Sequence, residues 1–129
     1  MPRLASVYAK MLGEKISTHN TAVYLINTGW SGGPYGVGKR IKIEYSRAMV
    51  TAVINGSFDI VKFSHNDLFN LDVPTECPGV PSEVLEPRNT WVDKDSYDLS
   101  AKKLAQMFVD NFKKFKDASE EIRSAGPKL

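Results

Sequence analysis

Five glycines and a proline fall between Thr28 and Gly38, and Lys39 and Arg40 follow at once. Glycine at this density marks backbone that must take up positive φ or pass close to another group. Two cations at its exit would set positive charge beside free backbone N–H groups, a combination suited to an anion. Residues 33–39, Gly-Pro-Tyr-Gly-Val-Gly-Lys, match the first seven positions of a Walker A loop, in which successive amides cradle phosphate and the lysine meets its charge. Arg40 stands where Ser or Thr would supply a hydroxyl to magnesium. The alternation after it predicts a strand, not the helix whose N-terminus would face the phosphates. The segment therefore reads as a glycine-rich turn between strands with an anion site at its lip.

Other reactive side chains are sparse. Trp30 and Tyr35 flank the glycines, and their rings would either stack a base or seal the loop against the core. Arg47 would reach the same cleft or pair with Glu44. His19 and His65 read as solvated loop residues. Asp93, Asp95 and Asp98 precede a long helical pattern, where interaction with the helix macrodipole accounts for them without a metal. The single Cys77 has no disulfide partner in the chain, and with two histidines it makes no zinc-ligand spacing, so it reads as a small buried apolar residue. There is no Gly-x-Ser-x-Gly, no His-Glu-x-x-His and no carboxylate dyad. No catalytic residue and no metal ligand is therefore assigned.

The elements that must position the loop follow from periodicity. Leu4, Tyr8, Met11, Leu12 and Ile16 form one stripe of a first helix, expected to be its buried side and closed by Thr18-His19-Asn20. Residues 22–26, Ala-Val-Tyr-Leu-Ile, read as a short strand buried on both faces, and residues 40–45 as a strand with one wet face. Ser46 is a candidate N-cap for a helix carrying Met49, Val50, Val53 and Ile54, which Gly56 closes. Residues 57–90 read as irregular chain with one or two brief strands. A long helix is predicted from the stripe Tyr97, Ala101, Leu104, Ala105, Phe108, Phe112 and Phe115, and a short helical turn over 119–124. The expected fold class is α/β: a mixed sheet including the strands near 22–27 and 40–45, flanked by helices, with the long helix packed across it.

At 129 residues the chain has the length of one domain, spanning residues 1–129. With 42% hydrophobic and 25% charged residues it is neither disordered nor fibrous. No window approaches a membrane span, and the opening Met1-Pro2-Arg3-Leu4 lacks the apolar core of a signal peptide, so a cytoplasmic location and no membrane partner are expected. The net charge of +2 conceals an asymmetry: residues 1–58 hold seven Lys/Arg against two acids, residues 59–129 ten against thirteen. Seven cations over 58 residues make no nucleic-acid stripe, so a nucleotide or an acidic metabolite fits better than DNA or RNA.

At the glycine loop the pattern becomes specific. Residues 24–40, Tyr-Leu-Ile-Asn-Thr-Gly-Trp-Ser-Gly-Gly-Pro-Tyr-Gly-Val-Gly-Lys-Arg, resemble the C-terminal part of ATP-dependent phosphoenolpyruvate carboxykinase. Further matches keep the same order. Tyr45-Ser46-Arg47-Ala48 resembles the family's Tyr-Thr-Arg-Ala, Phe69-Asn70-Leu71 precedes Pro74-Thr75-Glu76 and Pro78-Gly79-Val80-Pro81, and residues 85–91, Leu-Glu-Pro-Arg-Asn-Thr-Trp, resemble Leu-Asp-Pro-Arg-Asn-Thr-Trp. Residues 108–112 and the ending Ala125-Gly126-Pro127-Lys128-Leu129 complete the series. Ala5-Ser6 departs from the family's His-Pro ahead of Tyr8-Ala9.

The resemblance implies a gluconeogenic lyase that phosphorylates and decarboxylates oxaloacetate with ATP, magnesium and manganese, yielding phosphoenolpyruvate, ADP and carbon dioxide. It implies a fold that is part of the family's C-terminal domain, with ATP bound between two lobes. Matching positions place Arg40 and Ile41 at the nucleotide and Ser46 where the family has a nucleotide-contacting threonine. The family's phosphate loop, manganese ligands and oxaloacetate-binding arginine lie upstream of these motifs. The resemblance thus implies an ATP-binding portion that is inactive by itself, since phosphoryl transfer rests on metals, lysine and a phosphate cradle. Its expected partners are ATP and the remainder of the enzyme. The alternative is a stand-alone, non-catalytic nucleotide- or anion-binding module. Apolar faces left bare by a missing remainder would favour self-association.

Overall fold

The computed structural model describes residues 3–129; the opening Met1-Pro2, read above for the absence of an apolar leader, lies outside them. Eleven short elements follow in order, with the helices and strands intermixed as the α/β class requires. Helix α1 (Ala5–His19) ends where Asn20 takes the left-handed conformation and its N–H bonds the Ile16 carbonyl. Strands β1 (Trp30–Ser31) and β2 (Lys39–Arg40) pair antiparallel around the glycine loop and lead into α2 (Ile43–Ile54). A 3-10 turn (Ser57–Ile60) precedes a second antiparallel hairpin, β3 (Phe63–Asn66) and β4 (Leu71–Pro74). Helices α3 (Ser82–Leu85) and α4 (Pro87–Thr90) then lead to α5 (Lys94–Phe112) and α6 (Glu120–Ser124).

The sheets are two separate two-stranded ribbons, not one mixed sheet containing residues 22–27 and 40–45. Residues 21–28 form no strand: Leu25 is 83% exposed, and only Tyr24 and Ile26 are half-buried. A run of apolar residues becomes a buried strand only if neighbours pair with its backbone and cover both faces, and none here does. The predicted strand over 40–45 stops at Arg40. Tyr45, Ala48, Met49, Ala52 and Val53 recur at i, i+3, i+4, i+7 and i+8 and pack on the core, so helical period overrides the short alternation that preceded it. Helix α2 therefore begins at Ile43 with Lys42 as N-cap, and Ser46 lies inside its first turn, not at the cap. The expected closure at Gly56 holds, with φ +67° just beyond the Asn55 C-cap.

The core is small. Ala52, Phe58, Cys77 and Val80 are buried, ringed by half-buried Tyr24, Tyr45, Ala48 and Met49. Cys77 is buried, as its apolar reading anticipated. Much of the stripe of α1 faces outward, with Leu4, Tyr8 and Leu12 more than half exposed, while Ala5, Ser6 and Ala9 line a cleft together with Phe112, Phe115 and Ile122. On α5, Ala101 and Ala105 are buried while Leu104 and Phe108 turn to the surface, and the helix is tied to α4 instead of lying across a sheet. The chain exposes 9969 Å². A compact monomer of 14.4 kDa exposes about 6,800 Å² by the mass scaling of folded proteins, so this chain is more open than a compact domain of its mass.

The capping of α5 is locally encoded. Asp93 Oδ1 accepts from the Asp95 and Ser96 N–H groups at 3.0 and 3.3 Å, and Ser96 Oγ donates to its other oxygen at 2.6 Å. These bonds hold the Asp93 carboxyl below its ordinary range. Asp98 leaves the cluster to pair with Arg88. The Arg88 guanidinium donates to both Asp98 oxygens at 2.9 Å, tying α4 to α5. His65 is solvent-exposed as expected, but it lies in β3 opposite Asp72 and not in a loop, Nδ1 to Oδ1 2.8 Å.

Candidate functional site

The glycine loop is a closed turn. The Val37 and Gly38 N–H groups both donate to the Pro34 carbonyl, at 3.0 and 2.9 Å, and the ladder pairs Trp30 with Arg40 and Ser31 with Lys39. Below the ladder the Ile41 N–H donates to the Gly29 carbonyl at 2.9 Å. Gly38 is required by close approach: a Cβ there would stand 2.4 Å from the Gly33 carbonyl oxygen and 2.7 Å from that of Ser31. Gly36, at φ +88°, is required by conformation alone, since its surroundings are open. Two of the amides that a phosphate cradle would use are thus committed to Pro34, and the Walker-like spacing does not produce a P-loop. Trp30 and Tyr35 meet edge to face, centroids 5.3 Å apart, and both stay exposed.

What the loop offers an anion is its exit. Arg40 is exposed, and among the described residues its guanidinium pairs with no carboxylate. Ile41 beside it is half-buried. Two residues further on, α2 starts with Lys42 at the N-cap and no side-chain cap, so the first-turn amides of a twelve-residue helix have no side-chain acceptor. The helix that the sequence pattern denied to this loop is present after all, a few residues later than in a P-loop. Ser46, half-buried in that first turn, does not cap it, which leaves its hydroxyl uncommitted to the role proposed from sequence. Glu44 pairs with Lys42 at 3.4 Å, and Arg47 takes no part in that pair. The three sequence-predicted residues are thus placed within seven residues of chain: Arg40 at the end of β2, Ile41 in the connection, and Ser46 on the first turn of α2.

The loop is held from outside by a residue that pattern reading missed. Thr90, the last residue of α4, places its hydroxyl against the start of the loop, where Oγ1 accepts from the Gly32 N–H at 3.0 Å and from Ser31 Oγ at 3.1 Å. The same hydroxyl donates to the Pro87 carbonyl at 2.7 Å. Lys94 secures the same C-terminal end of this short helix, its ammonium donating to the carbonyls of Arg88, Asn89 and Trp91 at 2.7 to 3.0 Å. Residues 85–91, singled out as a motif, thus form the platform under the glycine motif. Only their common match to one family linked the two segments, 58 residues apart.

A family profile described as phosphoenolpyruvate carboxykinase matches residues 1–83. This chain belongs to that family. Phosphoenolpyruvate carboxykinase (ATP) of Caldanaerobacter subterraneus subsp. tengcongensis is 60% identical over 128 residues, 99% of this chain and 25% of the relative. The protein of the same description from Fusobacterium nucleatum is 60% identical over 129 residues, again 99% of this chain and 25% of the relative. One from Moorella thermoacetica is 55% identical over 127 residues, 98% of this chain and 24% of the relative. The chain spans about a quarter of the length of these relatives.

Among the described residues no group of three or more His, Cys, Asp or Glu is placed to hold a metal ion. No helix among them is long and apolar enough to cross a membrane. Two clefts lie away from the loop: one of about 440 Å³ lined by Ser57, Ile60, Glu76 and Cys77, and a smaller apolar one between α1 and the end of α5.

Proposed function

We propose that this chain is the nucleotide-site portion of an ATP-dependent phosphoenolpyruvate carboxykinase, in which Arg40, Ile41 and Ser46 bind ATP. The reaction is that of the whole enzyme, in which oxaloacetate and ATP give phosphoenolpyruvate, ADP and carbon dioxide in gluconeogenesis. In this reading Arg40 donates charge-assisted hydrogen bonds to the nucleotide, Ile41 gives it an apolar contact, and Ser46 supplies a hydroxyl from α2. Phosphoryl transfer needs a phosphate cradle and metals, and these come from the remainder of the enzyme, so the 129-residue chain has negligible activity alone. We place the enzyme in the cytoplasm and read the whole chain as part of one nucleotide-site domain. The remainder of the polypeptide is its partner, and its bare apolar faces favour self-association in isolation.

The observation that carries this reading is the exposed guanidinium of Arg40, without a carboxylate partner among the described residues, held at the end of a pinned ladder just ahead of a helix N-terminus that has no side-chain cap. The test is a full-length enzyme in which this chain replaces the corresponding quarter of the Caldanaerobacter relative. Arg40→Ala should weaken ATP binding about tenfold or more, the loss expected for a charge-assisted hydrogen bond. Unchanged ATP affinity would overturn the assignment. Tight ATP binding by the isolated chain would instead favour a stand-alone nucleotide-binding module.

A further inference from the structure

We propose that Thr90 is a positioning residue for the nucleotide: it fixes the glycine loop, and through it the backbone of Arg40 and Ile41, from a segment that does not itself contact ATP. This rests on the nucleotide reading above. A threonine hydroxyl has one proton and two lone pairs, and here all three are engaged. The Gly32 N–H can only donate and the Pro87 carbonyl can only accept, so the Thr90 proton goes to Pro87 and Ser31 Oγ must be the donor to Thr90. The orientation is set without alternatives. The backbone of the platform is also in contact, since a Cβ on Gly32 would stand 3.1 Å from the Thr90 carbonyl oxygen.

From Thr90 the restraint passes through consecutive bonded groups. Ser31 is both the donor to Thr90 and the ladder partner of Lys39, while Trp30 pairs with Arg40 and Gly29 receives the Ile41 N–H. A ladder of two residues per strand is marginal by itself, so an external anchor at its loop end decides where its other strand lies. The anchor is itself immobilised: α4 is clamped by Lys94 across its last carbonyls and by the fork of Arg88 on Asp98. Releasing Thr90 would leave the Gly32 N–H and the Pro87 carbonyl without their partner and let the strand carrying Arg40 shift.

The experiment uses the same full-length enzyme and compares KM for ATP with kcat. Thr90→Val, which keeps the shape and removes the hydroxyl, should raise KM for ATP about three- to tenfold with kcat within about twofold, and Thr90→Ser should bring KM back to within about twofold. A fall in kcat or in melting temperature with KM unchanged would mean a merely structural role and overturn the proposal. If Thr90→Val fails to fold, Ser31→Ala carries the test: a raised KM for ATP supports the proposal, and an unchanged one overturns it. Arg40→Ala separates the two readings. If it raises KM while Thr90→Val does not, the positioning role fails and the nucleotide reading stands; if neither raises KM, both fail.

Discussion

Replacing Gly38 by alanine tests whether the glycine loop has the close-packed form described. The added Cβ would sit 2.4 Å from the Gly33 carbonyl oxygen, whereas real Cβ contacts stay beyond 3.0 Å, so that carbonyl must retreat by at least about 0.6 Å, the difference between the two. The Ser31 carbonyl, at 2.7 Å, blocks the neighbouring direction, and both obstacles are backbone, which cannot rotate aside. Overpacking of this kind costs about 1–3 kcal/mol, and the retreat threatens the Gly38 N–H to Pro34 bond, about 1 kcal/mol more. The smaller entropy of unfolded alanine offsets about 0.4–1 kcal/mol of this. The net loss of about 1–3 kcal/mol should lower the melting temperature by roughly 4–12 °C for a chain of this size. Gly13→Ala is the matched control. Gly13 lies inside α1 with nothing within 4 Å of a new Cβ, so the same chemical change should stabilise by about 0.5–1 kcal/mol. Thermal unfolding followed by circular dichroism reads the sign of each, and hydrogen exchange at the Ile41 amide reads loosening of the ladder. Equal melting temperatures for Gly38→Ala and the parent, with the Ile41 amide still protected, would refute the packed turn.

Other expectations come from charge and burial. The Arg88 fork holds the Asp98 carboxyl below its ordinary range, so the tie between α4 and α5 is fully present above the unfolded carboxylate pKa of about 3.9 and is lost as pH falls through the lowered folded value. Carbon NMR titration should show a low Asp98 midpoint that returns toward normal in Arg88→Met; an identical midpoint in both proteins would contradict the fork. Burial pushes the Cys77 thiol up, so a thiol reagent at pH 8 should label the folded chain far more slowly than the chain in denaturant, whereas equal rates would mean that the core around Phe58 and Val80 is open. The isolated chain should associate through faces such as the outward stripe of α1, giving a mass above 14.4 kDa by light scattering at micromolar concentration. Leu12→Glu should shift that mass toward the monomer, and a monomeric parent would count against the bare-face reading.

Features that depend on neighbours along the chain were legible from residue order. The long helix, expected near 97–115 and found over 94–112, the short helical turn over 119–124 and the glycine closure of α2 rest on bonds spanning three or four residues, which local sequence specifies. Residues 22–26 misled because apolar character states a preference for burial without supplying the layers that would bury it. The outward stripe of α1 misled for the same reason. Residues 40–45 misled because six residues of alternation are too few to outweigh a helical face that continues from Tyr45 to Val53.

Residue types and their order by themselves determined the family and the glycine loop, because each is a local pattern, and the resemblance to that family supplied the candidate residues Arg40, Ile41 and Ser46. Only the tertiary structure decided that the loop's amides close on Pro34, that a helix N-terminus follows Arg40, and that Thr90 anchors the start of the loop. These depend on which groups meet across 58 residues of chain, and one hydroxyl's choice of partner is set by packing, not by the residues beside it.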